Sequence, residues 1–291
     1  MHGFLCINKT IGRTSHDMVA AVRRIARTRA VGHAGTLDPA ATGVLVIALG
    51  MATRLIEYVQ DDTHKTYRAT ICFGSATDSD DATGTVTATA PVPRIDEHAL
   101  ARLKAHFSGT ITQVPPTVSA LHHNGERMYD LARRGVAPQL DARTVHVYTI
   151  EFESWQAPLL TCTISCGKGT YIRAIARDMG TFLESKAHLC QLERTAVGDF
   201  SIESAVTTEQ LQQLGVNHQL LPLEHAVRSW HQVQVDAAGA WRIKNGQAIT
   251  AEATSESRAA VMNEHGKLIA IATAHDGMWL PHKVFHQEEP T

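Results

Sequence analysis

The sequence predicts an α+β protein that ends in a small all-β module. Strand periodicity recurs along the chain, at Tyr67–Phe73, Thr144–Phe152 and Leu159–Cys166. Amphipathic helical patterns are interleaved with these strands, at about 15–29, 52–60, 95–107 and 170–183. After Ala226 the texture changes to short strands split by glycine turns, at Val233–Val235, Trp241–Ile243, Arg258–Met262 and Lys267–Ala272. A chain of 291 residues exceeds one average domain. The change of texture divides it into 1–228 and 229–291.

Gly3 to Asn8 reads as a short strand. Ser15 then caps a helix running to about Arg29, with Met18, Val19, Val22, Ile25 and Ala26 on one face and the arginines largely on the other. Residues 32–43 read Gly-His-Ala-Gly-Thr-Leu-Asp-Pro-Ala-Ala-Thr-Gly. The glycines let the backbone approach a ligand closely, and Pro39 keeps Asp38 out of helical geometry. The apolar run Val44–Leu49 follows at once and reads as a buried strand. One carboxylate therefore stands on a constrained loop anchored to the core, which suits a positioned nucleophile or base. Taken alone, an Asp-Pro pair reads as a surface turn; the composition of the whole twelve-residue segment argues against that. A helix near Ala52–Gln60 comes next, then a strand at Tyr67–Phe73, a polar turn at Thr77–Gly84 and a helix at Ile95–Phe107. Residues 113–143 differ. Pro115-Pro116 opens an extended stretch, Asn124-Gly125 is a strong turn signal, and Met128–Arg134 reads as a short helix.

Composition excludes several classes. With 44% hydrophobic residues the chain can bury a sizeable core. It shows no basic-then-apolar leader and no run approaching the ~18 apolar residues of a membrane span, so a soluble, cytoplasmic protein is expected. The five cysteines (Cys6, Cys72, Cys162, Cys166 and Cys190) form no C-x-x-C pair, so the spacing indicates neither a zinc site nor a disulfide framework. Cys162 and Cys166 fall on one face of a strand. The seventeen histidines show no H-E-x-x-H spacing, and no metal ligand is assigned. Net charge is −2, yet residues 1–60 hold seven Lys/Arg against three acids, while 61–100 hold seven acids against three bases. A basic face beside Asp38 is one reading of this asymmetry, and an ordinary solvated helix face is the other.

The 32–43 segment resembles the catalytic motif of the TruB-type tRNA pseudouridine synthases, G-H-x-G-x-L-D-P-x-A-x-G, whose aspartate is the essential residue. Gly167-Lys168-Gly169-Thr170-Tyr171-Ile172-Arg173 resembles that family's K-G-T-Y-I-R signature. Gly-Lys-Gly-Thr lacks the spacing of a nucleotide-binding P-loop. Arg173 is a candidate partner for Asp38, since an adjacent guanidinium favours the ionised carboxylate. Leu192-Glu193-Arg194-Thr195-Ala196-Val197-Gly198 is similar to L-R-R-T-x-x-G, with Glu193 departing from the common arginine. Residues 113–135 resemble the RNA-gripping insertion of the tRNA-specific members, with His122 and His123 where lysine is usual. Asn8-Lys9-Thr10 replaces Asp-Lys-Pro.

The resemblance covers residues 3–200 and implies a pseudouridine synthase fold, a mixed and mostly antiparallel central sheet flanked by helices and loops. It implies that 229–291 is a PUA-like RNA-binding module, on the weaker likeness of Lys244–Gln247 and Gly266–Ala270. Asp38, Tyr67 and Arg173 take the catalytic roles. Tyr67 stacks on the target base and accepts its C5 proton; without the family the favoured reading is a strand-end tyrosine packing its ring in the core. His33, Gly35, Tyr171, Leu192, Lys9, Arg127, Arg133 and Arg134 contact the RNA, Leu192 lining the uracil pocket and His33 filling the space that the extruded base leaves.

The implied reaction isomerises uridine at position 55 of the tRNA T loop. It breaks C1′–N1 and joins C1′ to C5, which calls for no cofactor. Asp38 either attacks C1′ or removes the C2′ proton, and the sequence does not choose. The T-stem-loop is the expected partner of a monomer with no obligatory protein partner. A zinc base deaminase would need H-x-E with P-C-x-x-C, which is absent. A glycosidase would need a second carboxylate that nothing singles out. A guide-dependent rRNA-modifying relative and a non-catalytic RNA-binding or tRNA-folding module are the remaining alternatives; the 113–143 insertion favours the stand-alone tRNA enzyme, and the intact Asp38, Tyr67 and Arg173 argue against a binding module.

Overall fold

The computed structural model describes residues 1–117, 122–123, 126–127, 140–251 and 255–286, with backbone alone at 122–123 and 126–127. The first unit comprises β1 (Gly3–Lys9), α1 (Ser15–Ala26), β2 (Val31–His33) and β3 (Thr42–Leu49). Then come α2 (Ile56–Asp61), β4 (Lys65–Phe73), the hairpin of β5 (Ser75–Thr77) and β6 (Val86–Thr89), α3 (Glu97–Phe107) and β7 (Gly109–Gln113). The short strands β8 (His122–His123) and β9 (Glu126–Arg127) pair with each other. The long strands β10 (Arg143–Gln156) and β11 (Leu159–Cys166) lead to α4 (Ile172–Phe182) and β12 (Ala187–Val197).

The main sheet runs β1-β3-β12-β4-β11-β10-β7. Along this path only β3 and β12 pair in parallel, so the sheet is mixed and mostly antiparallel, as expected. β3 explains the continuous apolar run seen in the sequence. Val44, Val46 and Ala48 face one cluster, with Phe4, Cys6 and Tyr58, while Leu45, Ile47 and Leu49 face another, with Met18, Val19 and Val22 of α1. A strand buried on both faces does not alternate. At the other end of the sheet, α3 and α4 cover a third cluster around Ile71, Cys162, Ile164 and Cys166.

α1 departs from the sequence reading at both ends. Its N-cap is Thr14, not Ser15: Thr14 and Asp17 close a reciprocal capping box. It stops at Ala26, short of Arg29, because Arg27 turns into the left-handed region at φ 51°. α4 starts at Ile172, two residues later than read, with Tyr171 as its N-cap.

After β13 (Phe200–Ser201), α5 (Thr208–Leu214) and α6 (Val216–Gln219) comes the C-terminal sheet. Its elements are β14 (Gln232–Gln234), α7 (Ala237–Lys244), β15 (Ile249–Thr250), β16 (Arg258–Met262), β17 (Leu268–His275) and β18 (Met278–Val284), in the strand order β14-β16-β17-β18-β15. The strand read at Trp241–Ile243 is part of α7. Asp236 caps that helix by accepting from the Gly239 N–H at 2.8 Å, and Ala240 and Ile243 are buried on one side while Trp241 is exposed. β18 was hidden by Pro281, a residue that argues against a strand; it sits beside a register shift between Ile271 and Ala272 of the neighbouring strand. This sheet docks firmly on the body. Ala260, Met262, Leu268, Ile271 and Phe285 share a cluster with Phe4, Val44 and Tyr58. Arg258 pairs with Asp62 at 3.1 Å, and Lys283 with Glu57. Among the described residues no helix is long and apolar enough to cross a membrane.

Candidate active site

Asp38 lies on the loop between β2 and β3, and three separate struts hold that loop. The first is Ser15, at the start of α1. Its hydroxyl accepts from the Leu37 N–H at 2.9 Å and donates to the Leu37 carbonyl at 3.1 Å. The second is Lys9, fully buried, whose ammonium donates to the carbonyls of Arg13 (2.8 Å), Thr10 (3.1 Å) and Pro39 (3.3 Å). The third is Arg194 on β12. Its guanidinium donates to the carbonyls of Val44 (2.7 Å), Gly35 (3.2 Å) and Thr36 (3.4 Å). Leu37, just before Asp38, is buried, while the Asp38 side chain is 43% exposed. The carboxylate therefore faces a cleft from a backbone tied down on three sides.

Into this cleft the N-terminal turn of α4 delivers Arg173. Its Nη2 stands 3.0 Å from Asp38 Oδ2, although its side chain is only 6% exposed. Nη1 donates to the Ser79 carbonyl at 3.0 Å and lies 3.7 Å from Asp81 Oδ2. A buried guanidinium is tolerable only when paired and hydrogen-bonded, and here both conditions hold. The pairing read from the sequence is thus present. The polar turn at Thr77–Gly84 is more than a turn: it supplies the other side of the Arg173 cradle. Arg177, one helical turn on, donates to Asp80 of the same segment at 2.8 Å and to the carbonyl of Val114, just after β7, at 2.8 Å.

Leu192 lines the cleft with Asp38 and Arg173, as does Cys190. Tyr67 stands opposite Arg194 in the β4–β12 register. Burial pushes its phenol up from the ordinary value, and the Arg194 guanidinium beside it opposes that. Tyr171 is fixed through its backbone: its N–H donates to Gln113 Oε1 at 2.8 Å and its carbonyl accepts from Gln113 Nε2 at 3.0 Å. Arg143 lies over its ring, 4.9 Å from the centroid. His33 is half-buried next to His16, with ring centroids 5.6 Å apart. Burial first, then His16 and Arg194, hold its imidazole below the usual range, so it is neutral at pH near 7. Gly35 lends the Arg194 strut its carbonyl, at a φ of 94°.

Lys9 does not have the place that an RNA contact requires. It is turned inward and its donors serve the protein's own backbone. Burial lowers its pKa to about 8. Arg23 and Arg54, counted with the basic face, likewise donate to carbonyls, of Val31 and Val284. Arg133 and Arg134, the Asn124-Gly125 turn and the Met128–Arg134 helix lie outside the described residues, as does the Arg127 side chain. Ser15, Gln113, Asp81 and Arg194 escaped sequence reasoning. Arg194 lay inside a quoted signature, and its strict burial is the property that a linear pattern does not carry.

Two solved structures share this architecture. A chain of "Crystal Structure of a Cbf5-Nop10-Gar1 Complex" matches with a TM-score of 0.77 at 24% identity, over 98% of this chain and 85% of that one. A chain of "Structure of H/ACA RNP bound to a substrate RNA containing 2′-deoxyuridine" matches with a TM-score of 0.76 at 22% identity, with 98% and 85% covered. The fold is that of the pseudouridine synthases. In sequence, the TruB family pseudouridylate synthase N-terminal domain matches residues 23–172, and the tRNA pseudouridylate synthase B C-terminal domain matches 173–228. The tRNA pseudouridine synthase B of Dehalococcoides mccartyi is 40% identical over 296 residues, spanning 100% of this chain and 98% of its own. That of Gloeobacter violaceus is 48% identical over 213 residues, 71% of each chain. The chain belongs to the TruB family of pseudouridylate synthases.

Proposed function

We propose that this protein converts a uridine of the tRNA T loop, conventionally position 55, into pseudouridine. The observation that carries the reading is the Asp38–Arg173 pair, a half-exposed carboxylate oriented by a guanidinium that is almost wholly buried. RNA binding alone has no use for such a pair. The relatives' name, tRNA pseudouridine synthase B, supports tRNA as the substrate.

The target uridine is extruded from its stack into the cleft. Asp38 acts on the sugar, attacking C1′ or removing the C2′ proton. The C1′–N1 bond breaks, the uracil turns, C1′ bonds to C5, and the C5 proton is lost as N1 gains one. Product and substrate are isomers, so the reaction balances without a cofactor. Tyr67 stacks on the base and is the acceptor of the C5 proton; burial raises its phenol pKa, and the Arg194 guanidinium opposes that. Leu192 lines the uracil pocket, and neutral His33 fills the gap in the RNA. Residues 1–228 perform the chemistry. The insertion at 113–143 grips the stem-loop through Arg127, Arg133 and Arg134, and 229–291 adds a PUA-like RNA-binding surface. The protein works as a cytoplasmic monomer.

The test is to incubate the purified protein with unmodified tRNA and map pseudouridine by carbodiimide-blocked primer extension. A single new stop at position 55 is the expected result. Stops in ribosomal RNA alone would favour an rRNA-modifying enzyme, and no stop in either RNA would leave a binding module.

A further inference from the structure

At the edge of the cleft, which Cys190 lines, three soft-ligand side chains from two strands meet. Cys72 near the end of β4 stands opposite His188 of β12. The register shifts between Leu189 and Gln191, which makes Cys190 the extra residue of a bulge. Ile71, Phe73, Ala187 and Leu189, which alternate with them, belong to the apolar cluster under α4. Cys72, His188 and Cys190 therefore share the opposite face of the sheet.

Their ligand atoms all lie within 4.8 Å of one another, and Cys190 Sγ is 3.5 Å from His188 Nε2. Around a tetrahedral zinc ion, a sulfur at ~2.3 Å and a nitrogen at ~2.0 Å stand roughly 3.5 Å apart. The histidine is already oriented. Its Nδ1 lies 3.0 Å from the Ser75 carbonyl, which only accepts, so the proton sits on Nδ1 and the Nε2 lone pair points to the sulfurs. His188 is 8% exposed, so this tautomer is held in place rather than sampled in solvent.

We propose that Cys72, His188 and Cys190 form a binding site for a zinc-class divalent cation, with water as the fourth ligand. Two thiols and an imidazole select a soft or borderline ion over magnesium or calcium, which take oxygen ligands. On binding, the ion replaces the two thiol protons, which pass to solvent, and the two thiolates neutralise its charge. The ion stands at the edge of the cleft that Cys190 and Asp38 both line. It ties β4 to the bulge that precedes Leu192, and through Ser75 to the turn whose Ser79 and Asp81 cradle Arg173.

The full-length protein, reduced and stripped with chelator, is titrated with Co²⁺ under anaerobic conditions and then with competing Zn²⁺. One Co²⁺ per chain is expected, with thiolate-to-metal charge transfer and the intense visible bands of tetrahedral coordination, displaced by Zn²⁺. Cys72→Ser should weaken binding by at least about tenfold, whereas Cys162→Ala, on the other face, should not. Folding of the variants is checked by circular dichroism. Should Cys72→Ser not fold, alkylation of the unmodified protein decides: Zn²⁺ should shield Cys72 and Cys190, mapped by mass spectrometry. Absence of the tetrahedral spectrum at hundredfold excess Co²⁺, an unchanged spectrum in folded Cys72→Ser, or shielding confined to other cysteines would overturn the proposal.

Discussion

Asp38→Asn keeps the volume of the side chain and one hydrogen-bond acceptor toward Arg173, but an amide is neither nucleophile nor base. Product formation should fall below detection while affinity for tRNA stays within about threefold, since the loop struts are untouched; turnover in a preparation free of contaminating enzyme would sink the assignment. A second expectation concerns His33, whose imidazole the fold holds below the usual 6.5. As pH falls through that value the unfolded chain takes a proton that the folded chain refuses until lower pH. Stability contributed by neutral His33 is therefore full above 6.5 and declines as pH falls from there towards its folded value. Urea midpoints measured near neutrality and at about pH 5.5 should drop less in His33→Gln than in the unmodified protein; equal drops would refute the burial account. At this scale the sequence was informative where two motifs supply partners, as for Asp38 and Arg173, which pair at 3.0 Å. It was silent where a residue acts on backbone distant in the chain. Nothing local distinguishes Ser15, which pins Leu37, from the cap that its position suggests, and Lys9 reads as an RNA contact until its burial is seen.

Strand β12 organises the site: it carries Leu192 and Cys190 to the cleft, Cys190 also into the thiol cluster, and Arg194 under the Asp38 loop. Its parallel contact with β3 is short, pairing Glu193 with Thr42 and Arg194 with Gly43. Gly43 has a φ of 98°, and a Cβ there would meet the Arg194 carbonyl oxygen at 2.2 Å. Gly43→Ala should thus cost more than about 1 kcal/mol, from strain and from forced separation of the strands. It should also lower kcat by misplacing the loop. Thermal melts beside single-turnover assays check both, and a variant with unchanged melting would show that the strands part freely. The elements themselves were legible where burial is one-sided or complete, as in β3, β4, β11 and α3. They were misread where short-range signals conflict with tertiary context. Trp241–Ile243 looks like a strand by composition, yet Asp236 caps a helix through it, and Pro281 conceals β18 because a strand can absorb a proline beside a bulge.

Over the whole molecule, the net charge of −2 hides an uneven distribution, and several bases of the first segment are spent on internal carbonyls. Binding of tRNA should still be dominated by phosphate contacts, so the logarithm of affinity should fall linearly as the logarithm of salt concentration rises. Filter binding across a salt series tests this, and a flat response would point to base stacking as the main term. The boundary at 228/229 is a change of texture rather than a break in packing, because Phe285, Met262 and Ile271 share a core with Phe4 and Val44. A fragment ending at Arg228 should accordingly melt well below the full chain or aggregate; a fragment with the same melting temperature would show the two parts to be independent. That continuity was invisible in the sequence, where a hydrophobic residue does not announce which sheet it will meet.

The position of β12 between β3 and β4 has a consequence in time. Its two neighbours leave the ribosome long before it does, and they have no direct bond to each other in the finished sheet. Until residues 187–197 emerge, the Gly35, Thr36 and Val44 carbonyls have no guanidinium to receive and the sheet stands open at its centre. The nascent chain must therefore hold a gap in its largest sheet and close it late, a topology rich in distant contacts that folds slowly and exposes strand edges while it waits. The loop that carries Asp38 therefore gains its Arg194 strut only after translation has passed β12, so the cleft is among the last parts of the sheet to be completed.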